Sequence, residues 1–148
     1  MALDDKDWRI LSMLTADGRK SVVEMAKELS IPRATVQERM KKMVDGGIIR
    51  KFAAVPDYSK IGREVAAYVM VSFTREGTFS QRKLAEEIGL IPEVHEISLI
   101  SGEWDLILKV RASSVKEIGS LVVDRLRMMK GIEKTQTCIS FQIMKETP

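Results

Sequence analysis

The sequence predicts an α+β chain built as two successive units, and three observations carry that prediction. Apolar residues recur at helical spacing through roughly the first 45 residues. From about residue 63 onward, strand-like runs alternate with helical ones in the order β-α-β and then again β-α-β. Between the two parts, Pro56-Asp57-Tyr58 and Ile61-Gly62 supply turn chemistry. The expected division is a helical unit over residues 1–50, a strand and hinge over 51–62, and a second unit over 63–148.

The first helix starts at Leu3-Asp4-Asp5-Lys6-Asp7-Trp8. Asp4 is placed as N-cap, Asp7 lies in the first turn, and Leu3 is set to staple onto Trp8. Trp8, Leu11 and Leu14, joined by Ile10, form the expected buried face until Asp17-Gly18 ends the helix. Ser21-Val22-Val23-Glu24 is a capping box for a second, two-turn helix whose apolar face is Val22, Met25, Ala26 and Leu29. Ser30-Ile31-Pro32 breaks it. Pro32 suits the first position of a third helix, where its missing N–H costs nothing, and Val36, Met40 and Met43 give that helix a stripe to bury before Gly46-Gly47. Residues 48–55 read as a strand.

Two short helices joined by a tight turn within a three-helix set make a helix-turn-helix plan, here winged-helix-like because a strand follows. Projecting the third helix at 100° per residue puts Ala34, Thr35, Glu38, Lys41, Lys42 and Asp45 opposite the buried stripe, with Arg33 and Gln37 at the flank. Such side chains suit base edges: Arg to guanine, Gln to adenine, Glu to cytosine, Thr or Ala to a thymine methyl. Arg39 and Lys42 are expected to meet phosphates. A solvated charged face is the bland alternative, and the charge distribution argues against it. The chain's net charge is only +3, yet residues 18–51 hold nine basic side chains against four acidic ones, while residues 61–148 hold 12 of each sign. The expected partner is double-stranded DNA.

In the second unit, residues 65–73 form a strand run, Thr78-Phe79-Ser80-Gln81 caps a helix to Ile88-Gly89, and residues 94–101 form a second strand. Residues 106–111 are a third strand. Ser114-Val115-Lys116-Glu117 then caps a helix to about Lys130, Gly131 stops it, and residues 132–144 are the last strand. β-α-β-β-α-β is the ferredoxin-like sandwich, a four-stranded antiparallel sheet with two helices on one face. Its uncovered face and edges predict self-association. Ser101-Gly102-Glu103-Trp104-Asp105 joins the two repeats. Gly102 permits a tight turn, and Glu103 and Asp105 offer acceptors for an ammonium group, although the same residues also suit the polar tip of an ordinary hairpin.

Composition excludes several classes. Forty-five per cent hydrophobic and 30% charged residues in a chain of 148 is a globular mix, with no apolar run of the roughly 18 residues that a membrane span needs. The acidic start lacks the pattern of a secretion signal, so a cytoplasmic location is expected and no membrane partner. One cysteine and one histidine exclude a disulfide scaffold and a structural zinc; no metal and no cofactor are expected. His95 reads as a surface histidine and Cys138, among Thr137, Ile139 and Phe141, as core packing. No nucleophile, acid–base pair or metal cluster marks an enzyme, so no catalytic residue is assigned.

Taken together, Leu3-Asp4-x-x-Asp7-x-x-Ile10-Leu11-x-x-Leu14, Asp17-Gly18-Arg19, Glu28-Leu29, Pro32-x-x-Thr35-Val36-x-x-Arg39, Gly47-Ile48-Ile49, Gly102-x-x-Asp105 and Thr135-x-Thr137 resemble the leucine-responsive regulatory protein/asparagine regulator (Lrp/AsnC, feast/famine) family of transcription regulators. The resemblance runs over the whole chain. It implies an N-terminal unit that binds DNA and a C-terminal unit that forms dimers, then tetramers or octamers, with an amino acid or related metabolite bound near the Gly102 loop. On that resemblance, Ser101, Gly102, Glu103, Asp105, Thr135 and Thr137 are candidate effector contacts. The alternative within the family is an effector-independent architectural DNA organiser. In this chain Ile31 stands before Pro32, with Ser30 one place earlier, which predicts a recognition helix less firmly capped at its start.

Overall fold

A computed structural model describes residues 2–76 and 80–146 of the chain. They form two compact units, residues 2–55 and 56–146.

In the first unit, α1 (Asp5–Ala16), α2 (Val22–Leu29) and α3 (Arg33–Asp45) enclose a core of Ile10, Leu14, Met25, Ala26, Leu29, Val36, Met43 and Ile49. Each start has a local cause. Asp4 caps α1 and Ser21 caps α2, both with the reciprocal bonds of a capping box. Ser30 takes a left-handed conformation (φ 54°) to turn the chain between α2 and α3. Pro32 is the N-cap of α3, one residue before the position expected for it, and the helix has no side-chain cap bond. Two further expectations are corrected. Trp8 is exposed rather than buried, and the inward position in the first turn goes to Asp7, whose carboxylate is held by an arginine. Residues 50–57 lie in no strand, because among the described residues no partner strand exists to take their N–H and C=O groups.

In the second unit, β1 (Val65–Phe73), α4 (Gln81–Gly89), β2 (Val94–Leu99), β3 (Leu106–Ala112), α5 (Val115–Ser120) and β4 (Ile132–Ile139) follow the expected order. The sheet order β2-β3-β1-β4, antiparallel throughout, is the ferredoxin-like arrangement. Strand alternation sends Ala67, Val69, Val71, Phe73, Leu106, Leu108, Val110 and Ala112 into one core with Leu84, Ile88, Ile118, Leu121, Val122 and Leu126. The cap residues Thr78 and Phe79 lie outside the described residues, while Ser80 accepts the Lys83 N–H as N-cap of α4.

Three elements end earlier than the sequence suggests. α5 changes its winding into a π turn over Leu121–Arg125 and a short 3-10 turn over Leu126–Met128, keeping Leu121, Val122 and Leu126 against the sheet. β2 stops at Leu99, before the Gly102 loop. β4 stops at Ile139, opposite Ala67, because β1 begins at Val65 and offers little more strand to pair with. Cys138 is exposed, not core: it sits opposite Tyr68, on the face away from the helices.

Candidate nucleic-acid interface and effector groove

Along α3, Val36 and Met43 are buried and Met40 is half-buried, which turns Arg33, Ala34, Gln37, Glu38, Lys41 and Lys42 to the solvent with Thr35 half-exposed beside them. Two ion pairs run along this exposed face. Lys41 Nζ lies 2.9 Å from Asp45 Oδ2, and Lys42 Nζ lies 2.9 Å from Glu38 Oε1. Each is a helix i,i+4 pair in full contact with water, weakly held and exchangeable for a phosphate. Lys42 holds the Glu38 carboxyl below its usual range, and Asp45 raises the Lys41 ammonium above its own.

Arg39, also assigned to DNA by the sequence, is engaged within its own unit. Its Nη1 donates to Asp7 Oδ1 and Asp4 Oδ2, both at 2.7 Å, tying α3 to the start of α1. Asp7 and then Asp4 raise the guanidinium further above its usual range, and the Asp4 carboxyl is lowered by the Asp7 N–H and by Arg39. Arg39 therefore sets the position of α3 within its own unit, and a phosphate contact by it has to compete with two carboxylates.

In the second unit, Gly102, Glu103 and Asp105 line an open groove of about 920 Å³ together with residues 72–76, Gln81, Glu133 and Lys134. Gly102 has φ +128°, a conformation that side-chain-bearing residues rarely adopt, although a Cβ there would meet nothing within 4 Å. The backbone, not the space, calls for glycine. Asp105 braces the loop: its Oδ2 accepts the Phe73 N–H at 2.7 Å, its own N–H donates to Val71 O at 3.0 Å, and its carbonyl accepts the Ile100 N–H at 2.9 Å. Lys134 lies opposite Ser72 across β1 and β4, with its ammonium 5.9 Å from the centre of the half-buried Trp104 ring. The groove thus presents carboxylates (Glu76, Glu103, Asp105, Glu133) and cations (Arg75, Lys134) to one space.

Thr135 and Thr137 stand on the opposite side of β4 from Lys134, in register with Val71 and Val69. Thr135 accepts a 3.0 Å hydrogen bond from Arg127 Nε and borders a smaller neighbouring groove that shares Glu133 and Lys134. Ser101 and Thr137 are exposed and line neither groove. Arg75, Glu76, Glu133 and Lys134 carry no local motif in the sequence. The signal for them is the β-α-β-β-α-β order itself, which sets β4 beside β1 and so brings the start of one to the end of the other.

A three-helix unit presenting a polar, basic recognition helix, followed by a ferredoxin-like unit with a charged groove, defines a DNA-binding helix-turn-helix regulator. Comparison with known proteins gives the family. Residues 3–50 match the winged helix-turn-helix DNA-binding family and residues 66–148 the Lrp/AsnC ligand binding domain. The chain belongs to the Lrp/AsnC family of transcriptional regulators and is not an enzyme. An uncharacterized HTH-type transcriptional regulator of Pyrococcus horikoshii is 42% identical over 97% of this chain and 96% of its own length. One of Pyrococcus furiosus is 38% identical over the same shares. A crystal structure of a transcriptional regulator from Neisseria meningitidis in complex with L-Met has a TM-score of 0.93 at 25% identity, covering 99% of this chain and 94% of that one. No helix among the described residues is long and apolar enough to cross a membrane.

Proposed function

We propose that this regulator reads a specific DNA sequence through α3 as a homo-oligomer and responds to an amino acid or a related small metabolite held in the groove beside Gly102. The residues assigned to DNA are Arg33, Ala34, Thr35, Gln37, Glu38, Lys41 and Lys42, with Arg39 positioning the helix that carries them. The groove's mixed charge supports the effector reading most directly. A zwitterion needs acceptors for an ammonium and donors for a carboxylate, and Glu103 and Asp105 together with Arg75 and Lys134 meet that need. The fold likeness to a regulator bound to L-Met agrees with it.

Calorimetric titration with the twenty amino acids tests the effector. Asp105→Asn keeps an oxygen for the Phe73 N–H while removing the charge, so the responsive amino acid should bind about ten-fold or more weakly to that variant, a loss in the range of one charge-assisted hydrogen bond. Silence from all twenty would count against sensing and leave an effector-independent DNA organiser. Selection of bound fragments from genomic DNA tests the DNA reading, with imperfect palindromes of half-sites about 34 Å apart, or a multiple, as the expected result. Sedimentation at several concentrations tests assembly as dimers and higher oligomers.

A further inference from the structure

The charged side chains around the Gly102 groove are left without ion pairs. Arg75, Glu76, Glu103, Glu133 and Lys134 all line it, and among the described residues none of them is in a salt bridge. Elsewhere in the same unit such groups do pair, Lys109 and Arg111 with Glu146 and Arg125 with Glu93. With Asp105 included, the groove has four acidic side chains against two basic ones.

The backbone brings part of this set together. Ser72 lies opposite Lys134 and Phe73 opposite Ile132, so Glu133 is the extra residue of a bulge in β4. A bulge re-aims the side chains beside it, and here Glu133 and Lys134, consecutive in the chain, both line the groove. Thr74 N–H donates to Gly131 O at 2.9 Å, which keeps the segment carrying Glu76 beside the one carrying Glu133. As direct cross-strand partners, Ser72 and Lys134 send their side chains to the same face of the sheet. The Ser72 hydroxyl is buried at the groove and has no hydrogen-bond partner among the described residues. Buried hydroxyls are nearly always satisfied by protein, water or ligand, so this one is a vacant place for a polar group.

A neutral amino acid adds one ammonium and one carboxylate and leaves the excess of acidic side chains as it was. A second cation on the ligand reduces it. We propose that the effector is an amino acid with a cationic side chain, of the lysine, ornithine or arginine type. The inference rests on the reading of this groove as the effector site and narrows it. Lys134 and the Ser72 hydroxyl donate to the α-carboxylate, Glu103 and Asp105 accept from the α-ammonium, and Glu76 and Glu133 accept from the side-chain cation.

The test is calorimetric titration of the full chain with L-lysine and L-arginine, with their uncharged counterparts L-norleucine and L-citrulline, and with L-glutamate. L-lysine should bind at least about ten-fold more tightly than L-norleucine, and L-arginine than L-citrulline, the value of one charge-assisted hydrogen bond, with L-glutamate the weakest. Glu76→Gln and Glu133→Gln should each narrow the lysine-to-norleucine ratio. Ser72→Ala removes a hydroxyl that holds no partner in the fold, so it should leave the melting temperature in place and weaken both ligands by the same factor, roughly five-fold. Equal affinity for L-lysine and L-norleucine, tighter binding of L-glutamate, or a lysine preference that survives both glutamine variants overturns the proposal, while an uncharged amino acid that binds and is weakened by Asp105→Asn would keep the effector reading. Silence from every amino acid removes that reading and the proposal with it.

Discussion

Replacing Lys41 by alanine removes one of three basic side chains, Arg33, Lys41 and Lys42, that α3 turns to the solvent. A dimer presents six. If each neutralises one phosphate, the plot of log affinity against log salt has a slope of about −5.4, since each contact contributes about −0.9 by counterion release. Two contacts fewer bring it to about −3.6. Between 50 and 200 mM salt, affinity then falls about 2,000-fold for the unaltered protein and about 150-fold for Lys41→Ala. The substitution is on an exposed helix face, so it should change stability by no more than about 0.5 kcal/mol, and thermal melting checks that. Anisotropy titrations at four salt concentrations give the slopes. An unchanged slope would place Lys41 off the phosphate backbone and refute the orientation assigned to α3.

Four other outcomes follow from the same structure. Met43 is fully buried in the three-helix core, so Met43→Ala should destabilise the first unit by about 2–5 kcal/mol in denaturant titration, with loss of DNA binding at temperatures where the second unit stays folded. Gly102→Ala forces a side chain into φ +128° and should cost the second unit about 1–3 kcal/mol despite the open space around it. Burial, followed by the charges of Arg111, Arg63 and Lys109, lowers the His95 pKa against a smaller opposing effect of Glu146. The unfolded chain therefore takes up the proton first, and stability should decline as pH falls through about 6.5, a slope that melting curves on His95→Gln should flatten. Lys109 and then Arg111 hold the Glu146 carboxyl below its usual range, so its contribution is present above pH 4.5 and lost as pH falls through the depressed value; Glu146→Gln should lack that acid-side loss.

Local signals in the sequence decided most of the fold. The capping boxes at Asp4 and Ser21, the Val36–Met43 stripe and the strand run at residues 65–73 each depend on neighbours within a few residues, and the structure has them where the pattern puts them. The misplacements needed knowledge of distant partners. Trp8 fits a helical stripe by spacing, but the inward place in that turn belongs to Asp7 because Arg39, 32 residues away, holds its carboxylate. Residues 48–55 have strand composition without a strand beside them. Cys138 has apolar neighbours in sequence but falls on the face of the sheet that the helices leave uncovered. At the groove, the loop from Ser101 to Asp105 stood out by its glycine and acidic residues, whereas Arg75 and Lys134 became visible only once β1 and β4 were adjacent.

If α3 reads DNA with Gln37 at a base edge, as proposed, repeating the genomic selection with Gln37→Ala changes the consensus. One position in each half-site should change or lose its preferred base while the other positions stay the same, at a cost of about 1–3 kcal/mol on the original fragment. Recovery of the same consensus with the same affinity would contradict it.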